Sequence, residues 1–333
     1  MDILTQGLLG AVMAQTRAKP EETRQACTIG FLSGLMADAD VLIRSSTDPL
    51  LMLEYHRHFT HSIFFIPFGA LLVALLLSRF YKGRLTWNRV YLFSLMGFSL
   101  SGAIDACTSY GTYLFWPFVD ERISLSIISI VDPFFTISLL AALLYGWFKF
   151  RPRPAAYLGL SLCGLYLALG LVQQQRAMEV MESLASARGH EIQQAVVKPT
   201  LGNIILWRTT YIADNRIYAD GIRVSITGNT KIFPGDSVPV FKPEHDLQGI
   251  GQQTVLYQDV VRFTSLSDGY IAFYPGSKNI LGDMRYGMVP TSIRPLWGIV
   301  TDQSRTEQHV KYETFRDNSS GTRQQFLSML FDK

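Results

Sequence analysis

Charge is what this 333-residue sequence has least of. Lys, Arg, Asp and Glu make up 17% of it, against roughly 25% in a typical soluble domain. The shortage is uneven: 24 of the 57 charged residues fall in residues 1–175 and 33 in the shorter remainder. Cysteine is scarce as well. Cys27, Cys107 and Cys163 sit in apolar segments without C-x-x-C spacing, so they form no redox motif and read as small buried hydrophobes. There is no long basic run behind the net charge of +3, which removes the electrostatic footprint of a nucleic-acid binder. The first sixteen residues lack a basic start and a small-residue cleavage pattern, and read as mature structure rather than a signal peptide. Neither repeats nor low-complexity tracts occur.

What the first half has instead is long apolar runs. Ser62–Ser78 carries no charge, Val90–Thr112 holds only Asp105, Ile123–Phe148 only Asp132, and Pro154–Gln175 none. Each is close to or above the roughly 17–25 residues that cross a bilayer. Two shorter apolar stretches, Ile3–Thr16 and Gln25–Ile43, predict a hairpin inserted from one side. The expected fold of residues 1–175 is thus an α-helical polytopic membrane bundle, four spans plus an N-terminal helical hairpin. An amphipathic connecting helix follows over 176–194, with Gly189 as its stop signal. Beyond it, NIILWRTTYIA, RIYADGIRVSI, TVLYQDVVRFTSL and GYIAFYP are rich in β-branched and aromatic residues and punctuated by turn dipeptides. They predict a small, mainly antiparallel β domain over 195–333.

Basic loops set the orientation. Arg79, Lys82, Arg84 and Arg89 join the first two spans, Lys149, Arg151 and Arg153 the last two, and Arg17, Lys19 and Arg24 occupy the upstream turn. In a regularly alternating chain all three clusters share one side, which is then cytoplasmic. Trp87 and Trp147 fall at that interface and Trp116 at the other, as an aromatic belt requires. The opposite ends of the spans, and the β domain after the fourth, are expected to be extracytoplasmic.

Those outward ends carry the chemistry. His56-Arg57-His58-Phe59-Thr60-His61-Ser62 holds three of the six histidines, and imidazole is the commonest neutral metal ligand. On one ideal helix His56 and His61 would diverge by about 140°, so they converge only if a helix begins between them, with Thr60 as its cap. Otherwise the segment is a polar stretch at headgroup level. Asp38 and Asp40 end the second upstream helix, where two carboxylates oppose the macrodipole by some tenths of a kcal/mol unless a cation compensates. Asp105 lies inside an apolar run, where a charge at the span centre costs roughly 2.5–3.5 kcal/mol, and it needs a metal, Arg57 or a proton as partner. Asp132-Pro133 is an ordinary helix start, and its carboxylate faces the same side as the others. His190, His245 and His309 are isolated and read as surface histidines.

Mixed imidazole and carboxylate donors suit a divalent ion, zinc first, in an open catalytic site. His56, His61, Asp38, Asp40, Asp105 and Asp132 are the candidate ligands. Such an ion polarises a phosphoryl or carbonyl oxygen and brings the pKa of its water to about 7. Asp105 and Asp40 are then the candidate bases, and Arg57 the candidate grip on an anionic substrate group.

The same residues resemble a known family, the YdjM-type bacterial inner-membrane proteins. The likeness runs from Asp2-Ile3-Leu4-Thr5-Gln6-Gly7-Leu8-Leu9-Gly10-Ala11, through Asp38-x-Asp40 and H-R-x-x-T-H-S at His56–Ser62, to Asp105-Ala106-Cys107-Thr108-Ser109-Tyr110-Gly111-Thr112, Trp116-Pro117-Phe118 and Asp132-Pro133. Lys198-Pro199-Thr200, Asn203, Trp207-Arg208 and Asp283-Met284-Arg285-Tyr286-Gly287 resemble the family's tail. Ser101 and Gln6 stand where other members carry histidine. The resemblance implies a bacterial inner-membrane location and metal-dependent hydrolase activity. Its distant similarity to zinc-dependent phospholipase C and single-strand nuclease folds implies phosphoesters.

The expected function is a membrane-embedded metal-dependent hydrolase with an extracytoplasmic site, acting beside the lipid bilayer on a phosphoester or lipid-linked substrate. The alternative is a non-catalytic envelope protein that uses the cluster for structure or sensing. Topology is checked by reporter fusions: one after Lys333 should be active outside the cytoplasm and one at Lys82 inside. The reverse pattern would put the candidate site on the cytoplasmic face.

Overall fold

The computed structural model describes residues 1–331; residues 332 and 333 of the expected β domain lie outside the described residues. The chain divides into a helical unit, Met1–Leu42 with Tyr55–Val172 and Leu201–Asn203, and a second unit, Ile43–Glu54 with Gln173–Thr200 and Ile204–Lys333.

In the helical unit, α1 (Ile3–Gln15) starts where the Asp2 carboxylate accepts the Thr5 N–H, and it forms a hairpin with α2 (Thr23–Met36). Glycines bring the two backbones together. A Cβ at Gly10 would lie 2.3 Å from the Gly30 carbonyl oxygen, and one at Gly30 2.4 Å from that of Gly10. Such small-residue contacts are how helices associate without a hydrophobic drive between them. After α3 (Leu51–Tyr55) come α4 (Ile66–Ser78), α5 (Trp87–Phe98), α6 (Ser101–Ala106), α7 (Pro133–Lys149) and α8 (Pro152–Ala187). Leu8, Leu9, Val12, Ile104, Ile128, Phe135 and Leu139 form a core of this unit.

The four spans drawn from the sequence are not confirmed. Helix α4 begins only at Ile66, the Val90–Thr112 run breaks into α5 and α6, and residues 123–132 are not helical before α7. A 13-residue helix is about 20 Å long, short of a hydrocarbon core about 30 Å thick. Among the described residues α8 alone is long and apolar enough to cross a membrane; a second is reached only if Leu51–His61 and Ile66–Ser78, joined at a sharp bend, count as one. The runs break where polar or small residues enter them: Ser99 and Ser101 divide α5 from α6, Ser124 and Ser126 hydrogen-bond to each other, and the Ser129 hydroxyl accepts the distant Gly202 N–H. The unit nonetheless exposes large apolar side chains, among them Phe68, Leu75, Leu76, Ile137, Leu158 and Leu165, as a lipid-facing surface would.

The second unit is built of two antiparallel sheets. In the first, β1 (Gln194–Pro199), β2 (Leu206–Ala213), β3 (Arg216–Val224) and β4 (Thr230–Phe233) pair in order, and β5 (Ser237–Pro239) pairs with the other end of β3. After α9 (Pro243–Asp246) and α10 (Val255–Leu266), the second sheet runs β6 (Ile271–Phe273), β7 (Ile280–Asp283), β8 (Trp297–Val300) and β9 (Lys311–Thr314), and α11 (Ser320–Phe331) follows. The strand expected at TVLYQDVVRFTSL is instead α10. Its Leu256, Val260 and Phe263 recur at helical spacing on a buried face, and the Thr254 hydroxyl accepts the Tyr257 N–H as N-cap. Period and cap outweigh the β-branched composition.

The tail motifs converge in this unit. The Arg208 guanidinium donates to the carbonyls of Met284, Val289, Pro290 and Ser292, Arg285 is bound to Asp283, and the Lys198 ammonium lies 3.6 Å from the centre of the Tyr286 ring. Burial, with Arg285 close by, holds the Lys198 pKa well below its usual range. These side chains brace one loop.

Gly30→Leu should abolish the folded protein, and Gly30→Ala should cost about 1–3 kcal/mol through overpacking. Gly164→Ala, with open space around the added methyl, should not lower stability. Unfolding in detergent reads all three; equal tolerance at Gly30 and Gly164 would refute the close packing.

Candidate metal centre

The centre starts from a turn. After α2 the chain tightens into a 3-10 segment, Ala37–Leu42, which carries Asp38 and Asp40. A second 3-10 turn, Phe59–His61, carries His61, and Asp105 lies in the last turn of α6. His61 is 1% exposed and Asp105 0%, so their charges are settled by each other rather than by water.

Asp38 and Asp40 hold the two sides of one imidazole. On one side, His61 Nδ1 is 3.3 Å from Asp40 Oδ2 and 3.0 Å from the Thr60 hydroxyl. Asp40 Oδ2 also accepts the Arg57 N–H at 2.7 Å and the Thr60 hydroxyl at 2.8 Å, while its Oδ1 is 3.1 Å from His56 Nδ1. On the other side, His61 Nε2 is 2.9 Å from Asp105 Oδ2 and 3.3 Å from Asp38 Oδ1. Those are ion-pair distances without hydrogen-bond geometry, since both His61 Nε2 and Asp38 Oδ1 are buried without a hydrogen-bond partner.

That asymmetry fits a cation. A histidine that binds a metal through one ring nitrogen commonly gives the other N–H to a carboxylate, which fixes its tautomer. With a metal bound, Asp40 and Thr60 are placed to take that proton, which would leave the Nε2 lone pair among Asp38 and Asp105. One ligand atom from each of Asp38, His61 and Asp105 lies within 4.8 Å of the others. Bonds of about 2.0–2.1 Å place donors on a tetrahedral zinc about 3.3 Å apart, close to the Asp38–His61 separation of 3.3 Å.

Asp105 is also the meeting point of cationic and amide donors. Its Oδ1 contacts the Met1 ammonium and lies 3.4 Å from Arg57 Nη2, and its Oδ2 accepts Gln6 Nε2 at 2.8 Å. The Arg57 guanidinium also donates to Thr108 Oγ1 at 3.0 Å and the Met1 carbonyl at 3.1 Å, and Arg57 is 4% exposed. It is therefore an internal partner of Asp105, which revises the expected grip on substrate. Its backbone sits at φ +60°, a left-handed conformation held by the Asp40 bond and by the Thr112 hydroxyl and Tyr113 N–H on its carbonyl.

Three further expectations are revised. His56, half-exposed and bonded to Asp40, braces that carboxylate and is not grouped with the converging donors. Asp132 uses Oδ1 to cap α7 at the Phe135 N–H and Oδ2 to accept the Tyr166 hydroxyl, so the ordinary helix-start reading describes it. Thr60 caps no helix; its hydroxyl donates to Asp40 instead. His58 turns toward the Tyr113 and Trp116 rings.

Sequence reasoning gave no role to Thr108 or Gly102, and marked Gln6 only as a place where other members of the resembled family carry histidine. A buried amide in an apolar helix was the available signal for Gln6. Gly102 had none: a Cβ there would lie 1.9 Å from the His61 carbonyl oxygen. In the second unit Asp48, Asp259 and His309 also come within 4.8 Å of one another, but Arg262 supplies the cation there, bonded to Asp48 and Asp259 at 3.0 Å each.

A helical unit with an apolar exterior and a buried His–Asp cluster, followed by an antiparallel β unit, fits a membrane protein. Residues 1–177 match the model of the YdjM inner membrane protein family, and the chain belongs to that family. It is similar to Uncharacterized protein YfhP of Bacillus subtilis (strain 168), 28% identical over 249 residues that cover 74% of this chain and 71% of that one. No solved structure matches it.

The geometry separates the two histidines. His61→Ala should abolish binding of a divalent ion, whereas His56→Ala should weaken it by about tenfold, as loss of an outer support does. Calorimetric titration of the detergent-purified protein with zinc checks this, and equal losses would refute the assigned places.

Proposed function

We propose that the chain is a membrane-embedded metal-dependent hydrolase in which Asp38, His61 and Asp105 hold a divalent ion, zinc first. The observation that carries this reading is the pair of buried donors without hydrogen-bond partners, His61 Nε2 and Asp38 Oδ1, 3.3 Å apart. Three protein donors leave one position open on a tetrahedral ion, which distinguishes catalytic from structural zinc sites. A bound ion would supply Lewis acidity toward a phosphoryl oxygen and acidify water.

The chain's own groups have defined tasks in this reading. Asp40 orients His61 and fixes its tautomer. Arg57 and Gln6 hold the Asp105 carboxylate in place. His56 steadies Asp40 from the more exposed side. The substrate is a phosphoester or a lipid-linked phosphoester, met at the extracytoplasmic face.

Burial favours a second reading. Asp38, His61 and Asp105 are 9%, 1% and 0% exposed, as in a centre that stabilises or senses without turning over a substrate. The two readings part in one experiment. Zinc content and hydrolysis of phosphomonoesters, phosphodiesters and phospholipids are measured for the wild type and for Asp105→Asn. The proposal expects turnover by the metal-loaded wild type and loss of both metal and turnover in the variant. Metal without turnover supports the second reading, and turnover that survives Asp105→Asn removes this centre from the chemistry.

A further inference from the structure

The donors of the metal centre come from two stretches of sequence separated by a segment that belongs to the other unit. Asp38 and Asp40 precede Leu42, where the chain leaves the helical unit, and His56, Arg57, Thr60 and His61 follow Tyr55, where it returns. Between them, Ile43–Glu54 is part of the β-containing unit.

That segment is held firmly. Leu50 is 0% exposed within the core formed by Phe241, Leu247, Leu256, Val260, Phe263, Ile271, Leu281 and Ile299, and Leu53 packs against the same core. The Asp48 carboxylate accepts the Leu50 N–H at 3.0 Å. Arg262, on α10, then clamps the segment at its middle and at its C-terminal end: its Nη2 donates to Asp48 Oδ2 at 3.0 Å and its Nε to Glu54 Oε1 at 2.8 Å. A third arm, Nη1, donates to Asp259 Oδ1 at 3.0 Å, and Asp259 is fixed in turn by His309 Nδ1 at 2.9 Å and the Val310 N–H at 3.0 Å. The planar fork of an arginine makes such a three-way bridge directional, which a lysine cannot reproduce.

We propose that Arg262 is a positioning residue for the metal centre: by clamping Ile43–Glu54 through Asp48 and Glu54, it restricts the conformations of the chain that continues directly into His56–His61. The inference rests on the metal reading of that centre. The physical ground is covalent. Only Tyr55 separates Glu54 from His56, and the Arg57 N–H and the Thr60 hydroxyl that hold Asp40 lie three and six residues beyond the clamped Glu54. Release of the clamp gives those groups more conformations to lose when they converge, so affinity for an ion falls without any change in the donors themselves.

The test uses the full chain in detergent with two readouts, zinc affinity and hydrogen exchange of the 56–62 segment without metal. Arg262→Ala should weaken zinc binding about tenfold and speed exchange at 56–62, with Arg262→Lys recovering part of both. The control is Arg188→Ala, which breaks a bidentate ion pair to Asp220 in the same unit without touching the clamped segment; it should change neither readout. The inference is overturned if Arg262→Ala leaves both unchanged, or if Arg188→Ala matches it. Should Arg262→Ala fail to fold, Glu54→Gln decides in its place, since it removes one arm alone and should give a smaller effect of the same sign. A wild type that binds no zinc, with exchange still accelerated by Arg262→Ala, would sink the metal reading and leave the clamp standing.

Discussion

Three carboxylates buried around one imidazole form the constraint to which the helical unit answers. Asp40 and Asp105 are 2% and 0% exposed and Asp38 is 9%, and carboxylates away from water must be met by cations or donors. The chain answers from several elements. Gln6 comes from α1, Arg57 and Thr60 from the loop after α3, and Thr108 from the turn after α6 holds Arg57. Helix α6 approaches the His61 backbone so closely that only glycine fits at position 102. What these donors do not satisfy is the space between His61 Nε2 and Asp38 Oδ1, and in the proposed function a divalent ion would supply the missing charge there.

The same constraint explains the division of labour among the candidate residues. Charge alone made all of them look alike. The structure sorts them by which atom faces the common point: Asp38, His61 and Asp105 do, Asp40 stands behind His61, and His56 stands behind Asp40. Arg57 neutralises Asp105 from the side. A carboxylate–imidazole pair of this kind sets the tautomer and basicity of a metal-binding histidine, and this is the part Asp40 takes in the proposed function without touching an ion.

Much of the centre was legible because buried charge is conspicuous. Asp105 in an apolar run and the histidine-rich segment before α4 announced themselves, and the helical hairpin followed from apolar length. Asp132 caps α7, which was one of the two readings its sequence allowed; Tyr166, which takes its second oxygen, is 34 residues away and left no local sign. The four spans were not confirmed because hydropathy reads composition and not helix breaks, as between α5 and α6. Helix α10 hid behind β-branched residues. The role of Ile43–Glu54 was invisible for a plainer reason: a polar loop with one buried leucine looks like any connection until its distant partner, Arg262, is known.

The central claim is that one imidazole and two carboxylates share a cation. X-ray absorption at the zinc edge of the purified, zinc-loaded protein reads that donor set directly. The expected spectrum is a shell of nitrogen and oxygen at about 2.0–2.2 Å, with a single imidazole's outer scattering that disappears in His61→Ala and persists in His56→Ala. Sulfur in the shell, two imidazoles, or a spectrum indifferent to His61 would contradict it.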